Sequence, residues 1–183
     1  MKHTLQQIQQ RFNEQETLKF LFFWGYQPSK DGSITKSCFS QWWEAEFIVN
    51  KEVYKTAEHY MMAEKARIFN DTEIRKEILT VHHPHDAKKL GRKVKNFDPI
   101  IWNKYKFNSV VEGNYHKFSQ HKNLQQFLCN TKNRILVEAS PRDRIWGIGM
   151  SQNNEKVNNP NLWRGQNLLG FALMEVREQL TKK

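Results

Sequence analysis

The sequence predicts an α+β fold that is mainly α-helical, and three observations carry the prediction. The chain has 183 residues, enough for one domain with a real core. Apolar residues recur at helical spacing over several long segments, as in Leu169, Ala172, Leu173, Val176 and Leu180. Strand-like runs are short and few: FLFFW at 20–24, the EFIV and EVY runs either side of Asn50-Lys51, and ILV at 135–137.

Taken in order, residues 1–16 are polar and suit a frayed helix, so 1–19 is read as a polar extension and 20–183 as the folded domain. FLFFW reads as a buried strand, and QPSKDGS at 27–33 as a turn-rich loop. EFIV-NK-EVY is a short hairpin. Thr56 has the chemistry of an N-cap for the helix AEHYMMAEKARIF, and Asp71 caps a second helix through Leu79. Pro84 suits the first turn of a third helix reaching about Lys95. Asp98-Pro99 opens a fourth, IIWNKYKFNSVVEGNYHKF. A short helix around 124–128 precedes the strand at Ile135, and NNEKVNNPNLWRGQN is a long polar loop. LLGFALMEVREQL is the last helix, with Asn167 as a plain N-cap.

Composition narrows the function classes. A hydrophobic fraction of 38% and a charged fraction of 26% describe a soluble globular balance. No apolar run approaches the ~18 residues of a membrane helix, so no membrane partner is expected. The first residues have neither a signal-peptide nor a transit-peptide pattern. Cys38 and Cys129 lack zinc-ligand spacing and read as free thiols of a reducing, cytoplasmic compartment. The net charge of +10 favours anionic partners, either a phosphate-bearing substrate or a nucleic acid. GxGxxG, P-loop, HExxH and GxSxG patterns are absent, which excludes the common nucleotide-binding and hydrolase classes that carry them.

Two constellations carry chemistry. In LVEASPRDRIWGIG at 136–149, a strand end delivers a polar, breaker-rich segment. Asp143 is a candidate general acid or base, Arg142 and Arg144 can hold phosphate bidentately, and Trp146 can stack on a flat ring. Gly147 lets backbone approach a ligand. The second constellation is the helix that Thr56 opens. Glu58 and Lys65 stand seven residues apart, almost two turns, on a stripe shared with Met61, Met62 and Phe69. An acid and an amine there would be partly desolvated unless they meet a cavity. Tyr60, Glu64, Arg67 and Asp71 form a separate face expected to be solvated surface. Both constellations also have plainer readings: a salt-bridged surface turn for the first, and a dipole-compensating glutamate with a snorkelling lysine for the second.

Other features weigh less. AKKLGRKVK at 87–95 places Lys88, Arg92 and Lys95 on one expected helix face, an anion-binding patch by composition. Gly91 within it suggests a close approach. His82, His83 and His85 lack further ligands at regular spacing, so no metal is expected. Trp102, in the first turn of its helix, suits the core as well as a stacking platform.

Five blocks, TAEHYMMAEKA, KKLGR, HKFSQH, LVEASPRDRIWGIG and WRGQNLLGFALMEVR, stand in an order and spacing that resembles the NADAR family, the YbiA-like proteins. The resemblance runs from about Phe20 to Leu180. It implies a compact, mainly helical domain and N-glycosidase chemistry without a cofactor. The implied substrates are ADP-ribose on guanine of nucleic acid, or ribosylated pyrimidine intermediates of riboflavin synthesis. The family's site residues fall on Glu58, Lys65, Trp102, Asp143, Trp146 and Gly147. Ile148 stands where the YbiA-like bacterial enzymes carry an acidic residue, so the resemblance speaks more for the reaction than for the riboflavin substrate.

Cleavage of a ribosyl C1–N bond passes through an oxocarbenium-like state that a carboxylate can stabilise, while an acid assists the leaving nitrogen. Glu58, Lys65 and Asp143 are the expected catalytic set. Trp102, Trp146, Gly147, Arg142, Arg144 and Arg92 are the expected substrate contacts. The competing reading is a non-catalytic module that binds ADP-ribose, NAD or nucleic acid through the same aromatics and arginines.

Overall fold

The computed structural model describes residues Met1–Lys182. The chain forms two compact units, one of Met1–Ser40 with Asn123–Lys183 and one of Gln41–Lys122. The content is mainly helical with a few short strands, as the apolar periodicity predicts.

The uninterrupted unit starts with the expected hairpin, strands β2 (Phe47–Val49) and β3 (Glu52–Tyr54), paired antiparallel. Asn50 and Lys51 both have positive φ, 50° and 70°, which a two-residue hairpin needs to match the strand twist. Helix α2 (Ala57–Ile68) follows at once, its first turn capped by Thr56, whose hydroxyl accepts from the His59 N–H. Three helices pack on α2: α3 (Thr72–Thr80), α4 (Pro84–Gly91) and α5 (Pro99–Gln120).

Enclosure by three helices overturns the reading of Tyr60, Glu64, Arg67 and Asp71 as solvated surface. Tyr60 is buried against Tyr54 and Phe47, and Glu64 and Asp71 are buried as well. Only Arg67 of that face is exposed, and it covers Glu64 with an ion pair of 2.9 Å. Asp71 caps α3 through Oδ1 and accepts the Lys95 N–H at Oδ2, 2.9 Å away, tying the segment after α4 to the start of α3.

Helix α4 is also shorter than expected. It stops at Gly91, where a Cβ would lie 2.1 Å from the Met62 sulfur, so the glycine admits α2's side chain against α4's backbone. Lys95 therefore lies outside the helix and pairs with Glu73 at 2.8 Å, so the expected stripe of Lys88, Arg92 and Lys95 does not form.

The other unit is discontinuous in sequence. Strand β1 (Phe20–Phe23) pairs in parallel with β4 (Ile135–Glu138), in the register Phe20 with Ile135. Parallel strands need cover, and helix α7 (Leu168–Thr181) packs on β4, whose Ile135, Leu136 and Val137 are fully buried. FLFFW is not a fully buried strand: only Phe23 is deep, and Trp24 is exposed. A 3-10 turn at Lys36–Phe39, with no sequence signal, buries Phe39 against Phe23 and Phe127, the latter on α6 (Lys122–Cys129).

Residues 1–19, read as a polar extension, contain helix α1 (Leu5–Asn13), closed by a capping box of Thr4 and Gln7. Ile8 is 2% exposed, Gln9 donates to the Pro160 carbonyl, and α1 packs on a 3-10 turn at Pro160–Leu162. No helix among the described residues is long and apolar enough to cross a membrane.

Candidate active site

In the Gln41–Lys122 unit, Glu58 lies in the first turn of α2 and is 2% exposed. Its backbone N–H donates to the Gln41 carbonyl at 2.9 Å. Lys65 stands seven positions further along the helix, an axial rise of about 10 Å. The two are therefore an acid and an amine spaced along one helix rather than an ion pair with each other.

Lys65 is half-buried, and its ammonium is held on two sides. Nζ donates to the Gly91 carbonyl at 2.7 Å and stands 4.0 Å from the centre of the Phe97 ring. Neither neighbour is an anion. Desolvation lowers the amine's pKa, and the positive charge of Arg92 lowers it further. The structure thus brings the charge of exposed Arg92 near enough to Lys65 to act on its amine. Phe97, which the sequence reading passed over, forms part of this cluster and packs edge-on against Phe69. Trp102 lies half-buried in the first turn of α5, so it has a surface to offer a ligand.

Two further polar residues escaped the sequence reading because isolated amides and imidazoles carry no spacing signal. Asn114 Nδ2 donates to Gln41 Oε1 at 2.6 Å, and both residues are buried. His59, next to Glu58, is 1% exposed. Its Nε2 lies 3.2 Å from the Val81 carbonyl, which can only accept, so Nε2 carries the proton. Nδ1 then accepts from the Thr56 hydroxyl at 2.8 Å.

Burial holds the His59 imidazole neutral, with its pKa pushed down to about 4 from 6.5. A depressed folded-state value means that the fold binds fewer protons than the unfolded chain. Stability from His59 is therefore complete above about pH 6.5 and is lost as pH falls toward about 4. Urea midpoints measured between pH 7.5 and 4 are expected to drop over that window, and His59→Gln to flatten the drop. A midpoint for wild type that does not change from pH 6.5 to 4 contradicts the assignment.

His83 and His85 are engaged within the fold. His83 caps α4, its Nδ1 accepting the His85 N–H at 3.1 Å, and the rings of His83 and His85 stand edge-on to Trp42. Among the described residues no group of three or more His, Cys, Asp or Glu could hold a metal ion.

In the other unit, the loop after β4 keeps Pro141, Arg142, Arg144 and Ile145 exposed, yet its backbone is tied by hydrogen bonds. Asp143 Oδ1 accepts the backbone N–H groups of Ile145 and Trp146, both at 2.8 Å. The Asp143 carbonyl accepts from Gly149, and the Glu138 carbonyl accepts from Ile148, each at 2.9 Å. Gly147 fits between them: a Cβ there would lie 2.8 Å from the Glu138 carbonyl oxygen. Asp143 thus has a structural task at Oδ1. Trp146 is half-buried, and Arg142 and Arg144 are exposed.

The same loop caps α7. The carbonyls of Gly147, Ile145 and Trp146 accept from the N–H groups of Asn167, Leu168 and Leu169. Asn167 is consequently not the plain N-cap its position suggests. It adopts φ 57° and makes no side-chain cap bond. Its amide instead turns to β4, donating to the Leu136 carbonyl and accepting the Glu138 N–H, both at 2.9 Å.

Comparison with known proteins agrees with this architecture. The NADAR domain family matches residues 22–181. The chain is 45% identical over 170 residues to the N-glycosidase R617 of Acanthamoeba polyphaga mimivirus, an alignment that covers 90% of this chain and 98% of the viral one. It is 35% identical over 132 residues to the N-glycosidase YbiA of Shigella boydii, covering 72% of this chain and 74% of that protein. The NMR structure of the E. coli protein YbiA superposes with a TM-score of 0.71 at 29% identity, covering 90% of this chain and 86% of that one.

Proposed function

The chain belongs to the NADAR domain family, and from that premise we propose that it is an N-glycosidase hydrolysing a ribosyl C1–N bond. Its substrate class is a phosphate-bearing ribosyl group on a nitrogen base: ADP-ribose on guanine of a nucleic acid or nucleotide, or a ribosylaminopyrimidine riboflavin intermediate. The observation that carries the reading is Lys65, an amine with a lowered pKa and, among the described residues, no carboxylate paired with it, on the same helix as the buried acid Glu58. A module that only binds an anion gains nothing from Glu58.

In this reading the C1–N bond breaks with its electron pair on the base nitrogen, which takes up a proton from an acid. Water attacks C1 and gives a proton to a carboxylate. Glu58 and Asp143 Oδ2 supply the two carboxylate roles. Arg92, Arg142 and Arg144 hold phosphate, and Trp102 and Trp146 offer faces to sugar or base. Lys65 either positions the ribosyl group as a cation or, as the free amine that desolvation favours, attacks the opened sugar's aldehyde to form a Schiff base with loss of water.

The test is incubation of the protein with ADP-ribosylated guanosine, ADP-ribosylated oligonucleotide and the ribosylaminopyrimidine phosphate, with released base and ribosyl product measured. Turnover of one class names the substrate, and turnover of none overturns the glycosidase reading in favour of binding alone. Borohydride added during turnover is expected to trap an adduct that Lys65→Ala lacks. Turnover without an adduct leaves Lys65 as the positioning cation.

A further inference from the structure

A lysine near the end of a helix usually extends its stem so that the ammonium reaches water. Lys65 does otherwise. It is half-buried in the last turn of α2, and its Nζ donates to the Gly91 carbonyl at 2.7 Å. Phe97 closes over it, with the ammonium 4.0 Å from the ring centre. The same ring packs edge-on against Phe69, with the two ring centres 5.3 Å apart. Lys65 and Phe69 stand four positions apart at the end of α2, so one aromatic ring spans two side chains of the same helix side.

The segment that carries Phe97 is fixed although the ring itself is 42% exposed. Val94 is buried, the Lys95 N–H donates to Asp71 Oδ2 at 2.9 Å, and Asn96 turns the chain with φ 55°. Asp71 Oδ1 caps α3 at the same time, so one carboxylate ties the start of α3 to the residues that aim the ring. The influences on the Lys65 amine then differ in sign. Burial and the charge of Arg92 favour the neutral form. The accepting Gly91 carbonyl and the negative face of the Phe97 ring favour the ammonium.

We propose that Phe97 is a positioning residue for Lys65: its π face steadies the ammonium against the Gly91 carbonyl and sets how readily the amine gives up its proton. The part that Lys65 plays in turnover rests on the glycosidase reading above, but the contact itself can be read without substrate. Trace acetylation of the full chain with acetic anhydride, from neutral to alkaline pH, tests it, with the Lys65 peptide quantified by mass spectrometry. The midpoint of that curve reports proton affinity, whereas a change in access alters the plateau alone. Phe97→Leu keeps apolar cover and loses the π face. Its midpoint is expected to fall, with acetylation below the midpoint rising about two- to fivefold relative to the plateau, the factor equivalent to an exposed cation–π contact. Phe97→Tyr keeps the face on an exposed ring and is expected to match wild type. In the substrate assay, the limb of the kcat–pH profile that Lys65 governs is expected to move down in Phe97→Leu and stay in place in Phe97→Tyr. A Phe97→Leu midpoint at the wild-type value overturns the proposal. So does a midpoint that rises, which marks the ring as a water shield alone. Failure of the glycosidase reading looks different: the Leu and Tyr variants still part in acetylation, and no substrate is turned over.

Discussion

Glu58→Gln is expected to lower kcat by about 10²- to 10⁴-fold, the range that one positioned acid–base group supplies. The substitution is nearly isosteric at a residue 2% exposed, so the helix cap and the packing around it persist. Its thermal midpoint is expected to stay within a few degrees of wild type, which separates lost chemistry from lost fold. Asp143 is the informative companion. Asp143→Asn keeps an oxygen for the Ile145 and Trp146 N–H groups, whereas Asp143→Ala removes it. If the Oδ2 charge takes part in the reaction, the Asn variant loses activity with an intact loop. If Asp143 only shapes the loop, Asn is close to wild type and Ala alone is impaired. Wild-type turnover by both Glu58→Gln and Asp143→Asn sinks the carboxylate assignment altogether.

The largest expected effect on stability is at Asn167. Asn167→Ala removes the two side-chain bonds to β4 and leaves the buried Leu136 carbonyl unpaired. It also places alanine at φ 57°, where asparagine is tolerated and alanine is strained. Together these amount to about 2–4 kcal/mol. Asn167→Gly relieves the dihedral but not the bonds, so it is expected to recover only the smaller part. Urea unfolding at constant m measures both, and an Ala variant within 0.5 kcal/mol, about the ordinary surface range, would falsify the role given to the amide.

Part of this arrangement is legible in the sequence. Glu58 and Lys65 could be found because a helix repeat converts sequence spacing into shared position, and because Thr56 announces where the repeat starts. The hairpin was readable because Asn50-Lys51 is a turn flanked by apolar runs. Periodicity gives the apolar face of a helix but not how many neighbours enclose it, so the burial of Tyr60 and Glu64 was invisible. The end of α4 depended on Met62, a contact distant in sequence. Asn167 as a plain cap and the backbone bonds that Asp143 accepts share one lesson. Each has the residue type of a familiar local cap, and which backbone group a short polar side chain serves is decided by tertiary neighbours.

The parallel pairing of β1 with β4 has a consequence for biosynthesis. Phe20–Phe23 leaves the ribosome early, yet its partner Ile135–Glu138 is made only after all of Gln41–Lys122. The intervening stretch can begin to organise through its own helix contacts, while FLFF waits as an unsatisfied apolar edge. Nascent chains stalled before Ile135 are therefore expected to be the aggregation-prone and chaperone-bound species, and release of that binding should coincide with the emergence of residues 135–138. A chain whose chaperone association ends well before that point would refute this order of events.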